Sequence, residues 1–347
     1  METTRISGIE TPVSRIGLGT WAIGGWMWGG TDDAASIEAI RKALASGINL
    51  IDTAPVYGFG HSEEVVGRAL EGRRSQAVIA TKVALDWPDG KPRRNASAAR
   101  IRTEIEDSLR RLRTDHIDLY QVHEWDGLSP LEETLEALDT LVRGGKVRYV
   151  GVSNFSGWHV MKTLAVSDLQ RFIRPASQQI HYTLQAREAE NELIPIALDQ
   201  GLGVLIWSPL AGGLLSGKYR RGHKAPDGTR QLANWGEPPV HDQEKLYDIV
   251  EVLVAIAETR SVSAAQVALA WLLGRPAVAS VIVGARTEAQ LSDNLQAANL
   301  ILSAEERARL DQVSATPLLY PYWHQANTAA DRLSPADLSL LGGHLKH

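Results

Sequence analysis

Cysteine is absent from this 347-residue chain, which excludes disulfides and thiolate chemistry. The sequence has no apolar run of membrane-spanning length, and its first residues, METTRISGIETPVSRIG, lack the apolar core of a signal peptide. Its net charge of -5 is small, which argues against a surface for nucleic acid or anionic membrane. We therefore expect a soluble globular protein, with the cytoplasm as its default location.

The chain instead shows an alternation of short β-branched runs with amphipathic stretches. Such alternation predicts a parallel sheet with helical crossovers, either an open doubly wound sheet or a closed (β/α)8 TIM barrel. Polar residues follow many of the strands and favour the barrel, since an open sheet would gather them at one switch point. The predicted strands are Ser14–Thr20, Asn49–Asp52, Ala77–Lys82, Ile117–His123, Lys146–Val150, Ala176–Ile180, Gly203–Trp207 and Ser280–Val283, and the clearest helices are Ala34–Ser46, Ser97–Arg113 and Pro130–Gly145.

Three segments do not follow this repeat. Residues 1–14 are predicted to form a β-hairpin cap ahead of the barrel. Residues 211–242 are rich in Gly and Pro and are predicted to form a long loop over the top of the barrel. Residues 316–347 form a C-terminal tail that we expect to wrap the barrel or rim its pocket. No internal repeat or linker is visible, so we predict a single domain.

Four polar residues lie at or just after predicted strand ends: Asp52, Tyr57, Lys82 and His123. In a barrel the C-terminal ends of the strands share one face, which is where active sites of this fold lie. An acid, a phenol, an ammonium and an imidazole on that face can form one proton-transfer site. This arrangement predicts an enzyme.

Two glycine-rich motifs nearly match known phosphate-binding patterns. GLGTWA at Gly17–Ala22 fits a dinucleotide fingerprint, but the residues that follow cannot begin the required helix, so we interpret it as a tight turn. GGLLSGKY at Gly212–Tyr219 lacks the Ser or Thr of a Walker A loop. With Lys218 it can still cradle a phosphate, and a flexible surface loop is the alternative. Arg286, at a predicted helix start, is either a second phosphate ligand or a solvated side chain.

Taken together, these segments resemble the aldo-keto reductases along nearly the whole chain. LIDTAPVYGFGHSEEVVGRAL, VIATK, DLYQVH, GVSNF, QQIHYTL, IWSPLAGGLLSGK and GARTEAQLSDN match the signatures of that family in order. GTWAIGGWMWGG and YPYWHQ look closer to bacterial members that act on small aldehydes. The resemblance implies a barrel that binds NADP(H), needs no metal and reduces a small-molecule carbonyl.

The resemblance also implies residue roles. Tyr57 would be the general acid, supported by Lys82 and Asp52, and His123 would orient the carbonyl. We expect the Lys82 cation to lower the pKa of Tyr57. The implied cofactor contacts are Ser153, Asn154, Gln179 and Trp207 towards the nicotinamide; Ser208, Pro209, Leu210, Gly212, Ser216 and Lys218 along the pyrophosphate; Gly284, Arg286, Gln290, Asp293 and Asn294 around the adenosine; and Thr20 and Trp21, for which no part of the cofactor is specified.

Some relatives have Lys and Arg where this chain has Gly284 and Gln290, so Arg286 is the obvious partner for a 2′-phosphate. That departure leaves the strength of the preference for NADP over NAD open. The chain has 10 Trp but 3 Phe, and several indoles cluster in the predicted top loops. We expect an aromatic substrate pocket formed by Trp21, Trp26, Trp28 and Trp125, with Tyr322 and Trp323 as further candidates.

Three alternatives stay open at this point. One is a redox-sensing module that binds NADPH with little turnover. The barrel-shaped beta subunits of potassium channels resemble such a module. Another is a sugar or polyol dehydrogenase that uses the same residues in the oxidative direction. A metal-dependent hydrolase using Asp52 and His123 would need more ligands, and the sequence has no His-x-His pair. The physiological substrate and the oligomeric state are not specified by the sequence.

Overall fold

The computed structural model describes residues 1–25, 32–87, 91–223, 238–284, 288–329 and 331–345. In that part of the chain, eight parallel strands close into a barrel, in which β3 pairs with β4, each later barrel strand with the next, and β12 with β3. The predicted (β/α)8 TIM barrel is therefore confirmed. The strands are β1 Thr3–Thr4, β2 Val13–Ser14, β3 Ile16–Gly19, β4 Leu50–Asp52, β5 Val78–Val83, β6 Leu85–Asp86, β7 Arg93–Arg94, β8 Ile117–Val122, β9 Val147–Ser153, β10 Ser177–His181, β11 Gly203–Trp207 and β12 Val278–Val283, of which β1, β2, β6 and β7 lie outside the barrel.

Every predicted strand corresponds to one barrel strand. β5, β8 and β12 are buried on both faces along their whole length, as expected for parallel strands that are covered by helices outside and side chains inside. The prediction ended the fifth strand too early, because β9 continues past Val150 to Ser153. Gly151, Val152 and Ser153 all pair with β10, so the extension is decided by pairing with a distant strand.

Helices cover the outside of the barrel, and their sequences explain where they begin. Asp32 caps the first helix by accepting from the backbone of Ala35, and Ser97 caps the third by accepting from Arg100. The apolar side chains Ile101, Ile105, Leu109 and Leu112 of the third helix lie on one face and are buried. The helices are α1 Asp33–Ala45, α2 His61–Ala69, α3 Ala98–Leu112, α4 Leu131–Arg143, α5 Gly157–Gln170, α6 Leu193–Gln200, α7 Gln243–Arg260, α8 Ala264–Leu273, α9 Glu288–Gln296, α10 Ala304–Ser314, α11 Tyr322–Thr328 and α12 Pro335–Leu341.

The barrel interior changes from apolar to polar along the strands. Side chains of a strand alternate between its two faces, so residues two apart point to the same side. On β4 the inward position passes from Leu50 to Asp52, and on β5 it passes from Ala80 to Lys82. On β8 it passes from Leu119 to Gln121. The C-terminal end of the barrel is thereby lined with polar groups above an apolar floor.

The amino-terminal hairpin closes the opposite end. β1 and β2 pair antiparallel, as predicted for residues 1–14. Ile6, Ile9 and Val13 are buried in one cluster with the lower barrel residues, among them Leu50 and Leu205. The cluster seals the bottom, which leaves the polar end as the open one.

The two remaining segments have more regular structure than predicted. The expected top loop, 211–242, begins with a 3-10 helix at Ala211–Ser216, and its residues 224–237 lie outside the described part. The tail contains α11 and α12, and α12 packs against α6. Tyr322 donates from Oη to Glu192 at 3.3 Å, at the start of α6, while Trp323 is 48% exposed. The tail therefore lies along the outside of the barrel at α6.

Candidate active site

Lys82 is the centre of a buried hydrogen-bond network at the polar end of the barrel. Its side chain is fully buried, and its Nζ lies 2.9 and 2.8 Å from the two carboxylate oxygens of Asp52. The same nitrogen donates to the carbonyl of Thr53 at 3.0 Å and to Tyr57 Oη at 3.3 Å. Burial acts to lower the pKa of Lys82, but the attraction of Asp52 and Tyr57 outweighs it and the pKa is raised. Lys82 is therefore a fixed cation at neutral pH.

Tyr57 places a neutral phenol beside that cation. Its ring lies 6.3 Å from the ring of Trp21 and edge-to-face with His123 at 6.1 Å. Burial raises the pKa of Tyr57 by more than the nearby Lys82 lowers it. Lys82 does act to lower this pKa, as expected, but desolvation of the phenolate outweighs the cation and the net direction is upward. Since Lys82 can only donate to Oη, the hydroxyl hydrogen of Tyr57 is free to be donated elsewhere.

His123 follows β8 and completes the group of four predicted residues. Its backbone N–H donates to the carbonyl of Val83 at 2.9 Å, which ties the end of β8 to the end of β5. Burial, reinforced by the charges of Lys82 and Arg94, holds the pKa of His123 well below its ordinary value. The imidazole is therefore neutral at physiological pH and carries one N–H to donate. We call Asp52, Tyr57, Lys82 and His123 the tetrad.

Three buried hydroxyls support the loop that carries Tyr57. Ser62 Oγ lies 2.7 Å from Thr20 Oγ1 and 2.9 Å from Thr53 Oγ1, and Thr20 also donates to the carbonyl of Asp52 at 2.9 Å. All three side chains are fully buried. Thr20 was predicted to contact the cofactor, but its hydroxyl points into this network and not into the open cleft. Its observed contacts are structural.

Two glutamines support Asp52, and the sequence analysis assigned neither of them that position. Gln179 Nε2 donates to Asp52 Oδ1 at 2.8 Å, and Gln121 Nε2 lies 3.5 Å from the same oxygen. Gln179 was predicted to bind the nicotinamide carboxamide, whereas here its amide nitrogen is directed at Asp52. Gln121 was missed altogether. The alternation along β8 could have identified it, because it stands two residues before His123 and shares its inward face.

Asn154 joins the ends of four strands through its side-chain amide and its backbone N–H. Its backbone is left-handed, with φ of 56°, and its N–H donates to the carbonyl of Gln179 at 3.1 Å. Its Nδ2 donates to the carbonyl of His123 at 3.2 Å and to Ser153 Oγ at 3.1 Å. Its Oδ1 accepts from Trp207 Nε1 at 2.9 Å. Four of the predicted nicotinamide contacts, Ser153, Asn154, Gln179 and Trp207, are thus brought together next to the tetrad.

The predicted aromatic pocket is brought together in part. Trp21 contacts Tyr57, but Trp26 and Trp28 lie outside the described residues. Trp125 stacks on His159 of α5 at 4.1 Å, so its ring lies against the outer layer of the barrel. Trp87, which the sequence analysis missed, packs in a cluster with Tyr57. Its position in the sequence, just after β5 and β6, could have indicated that Trp87 lies at the same end of the barrel as the tetrad.

Comparison with known proteins decides the family. The profile of the Aldo/keto reductase family matches residues 15–315. Aldo-keto reductase YhdN of Bacillus subtilis is 42% identical over 318 residues, which cover 90% of this chain and 93% of that protein. The NADH-specific methylglyoxal reductase of Escherichia coli is 35% identical over 320 residues, covering 87% and 95%. The solved structure of glycerol dehydrogenase AKR11B4 from Gluconobacter oxydans matches with a TM-score of 0.79 at 40% identity, covering 92% and 98%.

The chain belongs to the aldo/keto reductase family. Enzymes of this family are oxidoreductases that use nicotinamide cofactors, and the resemblance inferred from the sequence is confirmed.

The residues predicted to contact the pyrophosphate lie in the segment directly after β11. Ser208 has a left-handed backbone and its Oγ accepts from the N–H of Gly212 at 3.0 Å. Ser216 donates to the carbonyl of Gly213 at 2.6 Å, and Lys218 is exposed. Pro209 is buried and Leu210 half-buried within the same turn.

The residues predicted at the adenosine end of the reductase lie on β12 and α9. Gly284 is exposed directly after β12, and Gln290 is exposed in the first turns of α9. Asn294 is buried, and Asp293 accepts from Ser263 and from Gln266, both at 2.7 Å, which ties α9 to α8. Arg286 lies outside the described residues.

The described residues contain no group of three or more His, Asp or Glu side chains that could hold a metal ion. Among the helices of the described ranges, no single one is long and apolar enough to cross a membrane; α7 and α8 reach that length only as a pair bent by 100°.

Proposed function

We propose that this reductase converts aldehydes or ketones to alcohols with NADP(H), and that Tyr57 is the general acid. The contact between the buried Lys82 ammonium and Tyr57 Oη, at 3.3 Å, is the observation that carries the proposal. A carbonyl oxygen that gains negative charge needs a proton donor next to a fixed cation. The relative named as a methylglyoxal reductase supports a small carbonyl as the substrate class.

In this mechanism the nicotinamide, when bound, supplies the hydride. The protein's own residues act on the oxygen. Tyr57 donates its free O–H to the carbonyl oxygen and passes the proton to it, while Lys82 stabilises the phenolate that is left. Asp52 keeps Lys82 charged and in place. His123, neutral because burial lowers its pKa, donates a second hydrogen bond to the same oxygen.

The side chains beside the tetrad fit a nicotinamide. Trp207 offers an aromatic face, and Ser153 and Asn154 offer a hydroxyl and an amide for a carboxamide. We propose that these three residues hold the nicotinamide and that Ser216 and Lys218 hold the pyrophosphate. The partial exposure of Trp207, Asn154 and Lys218 supports this, since a ligand must reach them.

Replacement of Tyr57 by Phe tests the assignment. It removes the proton donor, keeps the ring, and breaks the longest of the Lys82 contacts. We expect turnover of a panel of small aldehydes to fall by about 10²–10⁴-fold, with NADPH affinity kept. Tyr120→Phe is the matched control, because that buried Oη has no hydrogen-bond partner among the described residues and the variant should turn over normally. Unchanged turnover in Tyr57→Phe would refute the assignment. Tight NADPH binding by the wild-type protein with no turnover of the panel would instead favour the redox-sensing module.

We also propose NADP(H) over NAD(H), with Arg286 binding the 2′-phosphate. The support is its place in the sequence between β12 and α9, where a guanidinium and a helix start both favour an anion. The relative from Escherichia coli is named as NADH-specific, so the preference has to be measured on this chain. In paired titrations, Arg286→Ala should weaken NADPH binding about tenfold or more and leave NADH binding unchanged. Equal affinities of the wild-type protein for both would contradict the preference.

Polyol oxidation is the second candidate. The glycerol dehydrogenase structure at 40% identity favours it, because oxidation and reduction use the same groups by microscopic reversibility. Turnover of glycerol and other small polyols with NADP⁺, compared with reduction of the matching aldehydes, decides the physiological direction. The single-domain organisation and the cytoplasmic location stay predictions from the sequence.

A further inference from the structure

We propose that Trp207 is a positioning residue that sets the orientation of the Asn154 amide, so that its oxygen faces the nicotinamide carboxamide. This role rests on the proposed nicotinamide site. It depends on a hydrogen bond that the indole N–H of Trp207 donates to Asn154. Trp207 Nε1 donates to Asn154 Oδ1 at 2.9 Å, across the ends of β9 and β11.

The chemistry of the neighbours determines which way this amide points. An indole N–H can only donate, and a backbone carbonyl can only accept. Asn154 lies between one of each, the indole of Trp207 and the carbonyl of His123, the latter 3.2 Å from Nδ2. Rotating the amide by half a turn would set N–H against N–H and oxygen against oxygen. A single orientation therefore satisfies both neighbours.

This orientation gives the site a defined polarity. Both hydrogens of Asn154 Nδ2 are used, one on the carbonyl of His123 and one on Ser153 Oγ at 3.1 Å. The oxygen of Asn154 keeps a second lone pair, and Ser153 keeps its own hydroxyl hydrogen. Asn154 thus presents an acceptor and Ser153 a donor. A carboxamide fits this pair in one way, with its NH₂ on Asn154 and its carbonyl on Ser153.

The role depends on the indole and not on an aromatic ring in general. Phenylalanine keeps a ring for stacking but has no donor, and tyrosine carries its donor at the far tip of the ring. The ring of His181 packs against the Trp207 ring, with centroids 4.6 Å apart, which helps hold the indole in place. Two contacts orient the Asn154 amide, the one from Trp207 Nε1 at 2.9 Å and the one to the carbonyl of His123 at 3.2 Å. Loss of the indole N–H removes the first of these, which is the shorter.

The test uses a cofactor analogue that lacks the amide NH₂. In 3-acetylpyridine adenine dinucleotide phosphate a methyl ketone replaces the carboxamide, so the carbonyl stays and the donor is gone. We expect the wild-type protein to bind NADP⁺ more tightly than the analogue in calorimetric titrations. In Trp207→Phe this discrimination should fall about three- to tenfold, the effect of one neutral hydrogen bond. Trp158→Phe, at an exposed position of α5, is the control and should discriminate like the wild type.

The outcomes separate the possible failures. If Trp207→Phe binds both nucleotides more weakly by the same factor, Trp207 only stacks and the proposal is overturned. A wild-type protein that does not discriminate would overturn it as well. If the wild-type protein binds neither nucleotide, the proposed function itself fails. Melting curves check the fold of each variant, and Trp207→Tyr, which should also lose the discrimination, replaces Trp207→Phe if that protein does not fold.

Discussion

Replacing Lys82 by Met should remove a large part of the folding stability, because it leaves a carboxylate buried without its counter-ion. Asp52 is 3% exposed, and among the described residues its carboxylate would keep two amide donors, Gln179 at 2.8 Å and Gln121 at 3.5 Å. Breaking a buried ion pair from one side costs about 3–5 kcal/mol. Folded domains are stable by about 5–15 kcal/mol, so this single change removes about a fifth or more of the typical total.

Urea denaturation followed by tryptophan fluorescence measures the loss. Asp52→Asn and the double variant complete a cycle, and the double variant should recover most of the loss because no charge then remains buried. Lys42→Met is the matched control, since Lys42 lies 2.7 Å from Glu288 in an exposed pair. Its midpoint should stay close to that of the wild type. The reasoning is refuted if Lys82→Met shifts the midpoint no further than Lys42→Met, or if the double variant is no more stable than Lys82→Met.

Two further predictions concern the pH dependence of stability and the loop that carries Tyr57. Burial lowers the pKa of His123, so below about pH 6.5 this histidine binds a proton in the unfolded chain but not in the folded protein. Acidification should therefore lower the free energy of unfolding of the wild type by up to about 1.4 kcal/mol per pH unit more than that of His123→Asn. Urea midpoints at about pH 7.5 and about pH 5.5 test this, and parallel changes in both proteins would contradict it. Gly58→Ala should lower turnover more than about tenfold with the fold kept, because φ there is 65° and a Cβ would lie 2.1 Å from the carbonyl oxygen of Gly24. Gly72→Ala, with φ of 70° and no atom within 4 Å of the added Cβ, carries the same backbone strain and should turn over normally, so equal activities of the two variants would argue against a positioned loop.

Local sequence patterns were enough to predict the barrel and the residues of the tetrad. Short β-branched runs that alternate with amphipathic stretches predict a parallel sheet, and the polar residues that follow many of the strands favour the closed barrel over an open sheet. Asp52, Lys82 and His123 could be found because they end or follow such runs, and the fold brings all strand ends of one polarity to one face. These conclusions depend on residues close together in the chain.

The tertiary structure decided the pKa shifts and the hydrogen-bond partners of these residues. The pKa of Tyr57 is raised because burial, which depends on the whole barrel mouth, outweighs Lys82. Thr20 was predicted as a cofactor contact, and its hydroxyl is hydrogen-bonded to Ser62 and to the carbonyl of Asp52, partners that the sequence did not indicate. Gln179 supports Asp52, 127 residues away in the chain. Desolvation and hydrogen-bond partnership depend on distances between remote segments. Local periodicity and the polar residues at strand ends therefore indicate the fold class and the candidate residues, but not the protonation of those residues or their partners.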